Sequence, residues 1–162
     1  MPVKRAVPAR LRTSPATKEP SRQRPFPAGI VAISSRGVAR VKAGHFWVYR
    51  SDIVSAEEVA AGAVVAVQDE RGRPLGTALY SSSSQIAIRL ISRHPVGDFQ
   101  ALLRERIAAA INYRERIVRD SDAYRVIFSE GDSLPGLIVD RYRDVLSLQI
   151  LTQAMWNTAE GQ

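Results

Sequence analysis

Apolar residues occur mostly in short runs, and at sustained helical spacing only once. Ile30–Ile33 and residues 38–41 are apolar stretches on either side of the polar Ser34-Ser35-Arg36-Gly37, which predicts two short strands around a turn. The following stretch, residues 42–50, mixes aromatics with bases and has no clean period. Residues 57–61 read as a short turn and 63–67 as a buried strand. Asp69-Glu70-Arg71-Gly72-Arg73 then reads as a hairpin turn and residues 74–80 as its return strand. After a serine-rich loop at 81–84, residues 86–91 read as another strand. The period then changes. Asp98 is placed to cap a helix running to about Arg119, with Phe99, Leu102, Leu103, Ile107, Ala110, Ile111, Ile117 and Val118 on one stripe. Arg104, Glu105, Arg106, Arg114, Glu115 and Arg116 are expected to face solvent. Strands follow at 124–128, 137–142 and 145–150, separated by the Gly131–Gly136 loop and an Arg143-Asp144 turn. The pattern predicts a mixed α/β chain without internal repeats. A small barrel at 28–95 precedes an α+β unit of helix plus antiparallel strands at 96–155, and 156–162 is a tail.

Charge adds one feature to this picture. Of the formal net charge of +7, +6 lies in residues 1–25, which carry Lys4, Arg5, Arg10, Arg12, Lys18, Arg22 and Arg24 against Glu19. Six of the nine prolines fall within residues 1–27. That composition opposes both a continuous helix and a buried core, so 1–27 is expected to be a disordered basic tail. Two readings stand for it: attraction to RNA phosphates, or a solubilising extension. The absence of cysteine excludes disulfides, thiolate metal sites and cysteine nucleophiles, and fits a reducing, cytoplasmic setting. No apolar run is long enough to span a bilayer, and no apolar segment follows the basic start as a signal peptide requires.

Candidate chemistry concentrates in two places. Arg36, Arg40, Lys42 and Arg50 flank Gly44-His45-Phe46-Trp47, and Arg89 and Arg93 can extend the same basic face. Guanidinium groups suit phosphate, while His45 beside the aromatics suits RNA stacking and phosphate contact. The alternative is that Phe46 and Trp47 are core residues, His45 their satisfied neighbour and the bases ordinary surface charge. His94, beside Pro95, reads as a linker residue. The second place is the loop Glu130-Gly131-Asp132-Ser133-Leu134-Pro135-Gly136. Two carboxylates so spaced can bind Mg²⁺ through waters, but nothing else in the segment completes a site. The preferred reading of Glu130, Asp132, Pro135, Gly136, Asp140 and Arg141 is a structural loop and strand end. Ser133 has no hydrolase partners.

Three stretches in order carry a resemblance: Gly44-His45-Phe46-Trp47-Val48-Tyr49; Ala78-Leu79-Tyr80-Ser81 with residues 86–92; and Tyr124-Arg125-Val126-Ile127 leading into residues 130–142. Together, over about residues 30–152, they resemble the N-terminal part of the bacterial large-subunit ribosomal-RNA cytosine-C5 methyltransferases. That resemblance implies a PUA-like pseudo-barrel for RNA binding, followed by a central α+β domain that shapes the substrate cleft. In the family a catalytic Rossmann-like domain comes third and uses S-adenosylmethionine and a nucleophilic cysteine. Neither that cysteine nor a glycine-rich cofactor loop is present in this chain. The expectation is a fragment that is inactive alone and needs no cofactor of its own, S-adenosylmethionine belonging to the full-length parent. The implied partners are large-subunit ribosomal RNA and the missing methyltransferase domain, with no membrane; a homodimer is left open. The rival readings are a stand-alone RNA-binding protein of ribosome assembly and a protein-interaction module.

Overall fold

The computed structural model describes residues 27–56 and 58–160. Residues 1–26 of the expected basic tail lie outside the described residues, as do 161–162 and Glu57. Strand β1 (Ile30–Ile33) buries Val31 and Ile33 completely, as a two-residue period dictates. It runs parallel to β4 (Val64–Asp69) and antiparallel to the short β3 (Ile53–Ser55). From β4 the chain turns back into β5 (Pro74–Tyr80), and the turn is tied by Asp69, whose carboxylate accepts from the backbone N–H groups of Arg71 and Arg73, both at 2.9 Å. Strand β6 (Ile86–Ser92) pairs with β5, and β2 (Trp47–Tyr49) closes the other side of β6. The order is β2-β6-β5-β4-β1-β3. Only the turn Arg50–Asp52 separates β2 from β3 in the chain, yet they occupy opposite edges of the sheet. A flat sheet of that width cannot be bridged by three residues, so the sheet curls into the expected PUA-like pseudo-barrel.

One strand expectation is overturned. Residues 38–41 belong to helix α1 (Ser35–Lys42), not to a strand. Ser34 caps it, its Oγ accepting from the Gly37 N–H at 3.3 Å, and Val38 and Val41 lie one turn apart on the buried face. Serine and glycine beside a short apolar run read equally well as a turn, and only the three-residue spacing of the valines distinguishes the two.

The second unit opens with α2 (Phe99–Ile117), capped by Asp98, whose Oδ1 accepts from the Ala101 N–H at 2.9 Å. Strands β7 (Ala123–Phe128), β8 (Leu137–Tyr142) and β9 (Val145–Ile150) form an antiparallel sheet in that order. Residues 156–160, read from the sequence as the start of a tail, are helical instead. They continue α3 (Gln153–Glu160), whose Ala154 and Met155 are buried. Two other corrections concern α2. Arg106 and Arg114 do not face away from the protein: Arg106 donates to the carbonyls of Ser133 and Ile91, and Arg114 grips Asp132. Ile111 and Ile117, placed on the apolar stripe, are exposed.

The two units share apolar packing. On β5, Ala78 and Tyr80 enter the barrel core while Leu79 points out; on β6, Ile88 and Leu90 point in and Ile91 points out. Leu79 and Ile91 pack with Phe99, Leu103, Ile127 and Leu134 of the second unit. Strands covered on both faces read as near-continuous apolar runs rather than alternating ones, which is the pattern of residues 78–80 and, broken only at Arg89, of residues 86–91.

Candidate nucleic-acid interface

The segment leaving α1 builds the most chemically distinctive surface. Gly44 has φ +103°, a backbone region that side chains resist, and there the chain turns from α1 toward β2. Strand β2 then turns Val48 inward and Trp47 and Tyr49 outward. Phe46 is 49% exposed, Trp47 40% and Tyr49 40%. Trp47 and Phe46 are thus surface residues and not the core of the barrel. Each ring carries an arginine: the guanidinium carbon of Arg40 lies 5.2 Å from the Tyr49 centroid, that of Arg89 5.9 Å from Trp47, and that of Arg93 5.8 Å from Phe46. A cavity of about 510 Å³ opens here, lined by His45 and the three aromatics with Arg40 and Glu130 at its sides.

The bases expected to form an RNA-binding face divide into two kinds. Arg36 and Arg40 are held by Asp52, a fully buried carboxylate, with Nε of Arg36 2.5 Å from Oδ1 and Nη1 of Arg40 2.6 Å from Oδ2. Arg50 donates to the carbonyls of Ser81 at 3.0 Å and Ser84 at 2.8 Å, which holds the 81–84 loop on the strand. Arg89 donates to the Ile86 carbonyl at 3.1 Å, and its buried Nε sits 3.4 Å from Glu130 Oε1 without hydrogen-bond geometry. These four side chains shape the surface. His45 lines the cavity and is exposed, Lys42 is exposed at the end of α1, and Arg93 lies over Phe46.

Glu130 comes from the second unit and completes the cleft. Its Oε1 accepts from the indole N–H of Trp47 at 3.3 Å, and its Oε2 from Ser129 Oγ. Burial pushes the Glu130 carboxyl up. Hydrogen bonds from Ser129, from its own backbone N–H and from Trp47, together with the Arg89 charge, outweigh that and hold it below the usual glutamate value. It is therefore ionised near neutral pH and only accepts hydrogen bonds.

The rest of the loop is knitted into the protein. Asp132 takes a two-pronged grip from Arg114, at 2.6 and 2.7 Å, and accepts from the Phe128 N–H at 2.6 Å. Pro135 and Gly136 are buried, and the Gly136 N–H donates to Ser129 Oγ at 2.8 Å. Gly136 has φ +82°, and a Cβ there would come within 2.4 Å of Thr152 Cγ2, so only glycine fits. Asp140 pairs with Arg125 at 2.8 and 3.1 Å, and Arg141 donates to the Arg143 carbonyl at 2.7 Å. Glu130 and Asp132 point at different partners, and the described residues hold no cluster of three or more metal-binding side chains. Sequence reasoning missed Asp52, Tyr49 and the placing of Glu130 in the cleft. The alternation Trp47-Val48-Tyr49 was the available signal for two rings on one face. No local pattern connects residue 130 to residue 47.

Residues 31–93 match the PUA-like domain family, so the curled sheet with its aromatic edge is a PUA-like domain. Beyond it, the chain is homologous to bacterial large-subunit ribosomal RNA methyltransferases. It is 32% identical to the ribosomal RNA large subunit methyltransferase of Deinococcus radiodurans, over 75% of this chain and 32% of that protein. It is 37% identical to ribosomal RNA large subunit methyltransferase I of Shewanella denitrificans, over 66% of this chain and 28% of that one. The chain thus spans about a third of the length of the curated relatives it matches. Its fold is shared by a SAM-dependent methyltransferase structure from Streptococcus mutans, with a TM-score of 0.70 and 20% identity, covering 81% of this chain and 35% of that one. A crystal structure of a methyltransferase complexed with SAH superposes equally well.

The described residues do not fit S-adenosylmethionine. No two glycines stand two residues apart anywhere in the sequence, and the link from β6 to α2 contains Gly97 alone. Among the described residues no strand runs through a glycine-rich loop into a helix N-terminus. No described helix is long and apolar enough to cross a membrane.

Proposed function

We propose that this chain is the RNA-holding portion of a methyltransferase that modifies large-subunit ribosomal RNA at C5 of a cytosine, working in the cytoplasm. It would grip the RNA and present it to a catalytic domain that carries S-adenosylmethionine and the nucleophile. The PUA-like domain, at about 28–95, would make the main contact, and the unit at 96–155 would shape one wall of the cleft. The observation that carries this reading is the row of exposed aromatics on the α1–β2 segment, each backed by a guanidinium, with His45 lining the same cavity. Rings stack on unpaired bases, and cations neutralise phosphates. Lys42, His45 and Arg93 are assigned direct contact with RNA. Arg36, Arg40, Arg50 and Arg89 are assigned to holding the surface in shape, because each already has protein partners.

Fluorescence anisotropy with a labelled large-subunit rRNA fragment tests the reading. The basic N-terminal segment attracts any polyanion, so variants are compared that all retain it. Lys42→Ala with Arg93→Ala should weaken binding severalfold, leave the circular dichroism spectrum unchanged, and reduce the slope of log K against log salt by roughly 1–2. An unchanged affinity and slope would remove this surface from RNA recognition.

A further inference from the structure

The cleft beside β2 contains groups of contrasting chemistry. Its walls are Trp47 and Tyr49, which leave the same face of one strand. Strand geometry separates the Cα atoms of such residues by roughly 6.7 Å, about twice the 3.4 Å step between stacked bases, which is the spacing a single intervening planar ring requires. One face of each wall is already covered by a fixed cation. Arg40 lies over Tyr49 and is held by Asp52, and Arg89 lies over Trp47 and is held by Ile86 and Glu130. A stacked ligand would take the ring faces that these cations leave free. The volume of about 510 Å³ is in the range of small-ligand sites.

At the side of this cleft Glu130 supplies the one carboxylate among the lining residues. It is fixed by Trp47, Ser129 and Arg89 and cannot swing away freely. A carboxylate has about four acceptor positions, and the hydrogen bonds from Trp47, Ser129 and its own backbone N–H leave one of them open. What it lacks is a donor from a ligand.

We infer that this cleft takes a single unpaired nucleobase bearing an exocyclic amine, stacked against Trp47 and Tyr49 and read by the Glu130 carboxylate. The inference rests on the RNA-binding reading and adds to it the chemistry of the base. Cytosine, adenine and guanine each present an amine to such an acceptor. Uracil presents one N–H set between two carbonyl oxygens, which the carboxylate repels. The backbone phosphates flanking the bound base would lie toward His45.

The test uses the full chain carrying Trp156→Phe, so that Trp47 is the sole tryptophan and its fluorescence reports ligand in the cleft. The probes are the pentaribonucleotides UUCUU, UUAUU, UUGUU and UUUUU. Attraction by the basic segment is the same for all four and cancels from the comparison. The amine-bearing probes should bind about fivefold or more tightly than UUUUU, the lower end of a base-edge contact. Tyr49→Ala should weaken all four alike, and Glu130→Leu, which removes the acceptor, should bring the amine preference to within twofold of unity. Equal affinity for all four probes in the unmutated cleft overturns the inference, as does a preference that survives Glu130→Leu. If that variant fails to fold, the preference of the unmutated cleft decides by itself. Equal pentamer affinities with the rRNA fragment still bound remove base reading alone. Failure of fragment and pentamers together removes the RNA-binding reading as well.

Discussion

Asp52 decides what can be learned from mutating its neighbours. The carboxylate is completely buried, and it accepts from Arg36 and Arg40 while lying 3.4 Å from Ser34 Oγ. The arginines keep their outer ends in water, so losing the carboxylate leaves no stranded buried cation. The cost is then that of two charge-assisted hydrogen bonds in place of a full buried-ion penalty. Asp52→Ala should lower unfolding stability by about 2–3 kcal/mol, read by urea denaturation. A loss under about 0.5 kcal/mol would mean that the arginines do not anchor α1 to the turn before β3. The same geometry makes Arg40→Ala a poor probe of RNA contact, since it disturbs both Asp52 and the ring of Tyr49. None of this was legible in the sequence. Arg36, Arg40 and Arg50 look like a phosphate-binding set, and their partners are one buried aspartate, Ser51 and the Ser81 and Ser84 carbonyls, brought near by the curl of the sheet.

At the scale of elements, apolar runs, helical period and capping identified most of the parts. The β4–β5 hairpin, β6, and α2 with its Asp98 cap could all be read from local pattern. Helix α1 was lost because its eight residues contain Gly37 and only two buried valines. The inward arginines of α2 were lost for a different reason. Charge at helical spacing normally means a wet face, and here the Ile91 carbonyl of β6 and the later loop supply the acceptors that make it otherwise. Arg114 and Asp132 are 13% and 12% exposed, so this pair joins α2 to the loop almost out of water. Taking away the arginine leaves Asp132 with the Phe128 N–H and little solvent. Arg114→Ala should therefore cost about 3 kcal/mol, and Arg114→Lys should recover only part of it because an ammonium cannot reproduce the planar two-pronged grip. Full recovery by lysine would show that charge alone, without the fork, holds the loop.

For the whole molecule, the sequence suggested two units meeting near residues 95–98, and the packing couples them. Leu79 and Ile91 of the barrel sheet pack in the core that also holds Phe99, Leu134 and Met155. Polar ties cross the same boundary. Trp47 donates to Glu130, Ser81 Oγ meets Gln153 at 3.2 Å, and Asn157 donates to the Ala61 carbonyl at 3.0 Å. If the second unit came away, the outer face of β5 and β6 would meet water with two large aliphatic side chains exposed. At about 25 cal/mol per Å² of apolar surface, that exposure alone costs roughly 3–6 kcal/mol, comparable to the whole stability of a small domain. The two units should therefore unfold together. The tryptophans are placed to test this, Trp47 reporting from β2 of the barrel and Trp156 from α3 of the second unit. Urea titrations of Trp156→Phe and of Trp47→Phe, each followed by the remaining indole, should give midpoints that agree once each is corrected for its own change in far-ultraviolet circular dichroism midpoint. Separated midpoints, with the Trp156 signal moving first while the barrel stays folded, would show that the shared core is too weak to make one cooperative body. The cleft between Trp47 and Glu130 would then open before the domain that carries its aromatic wall unfolds.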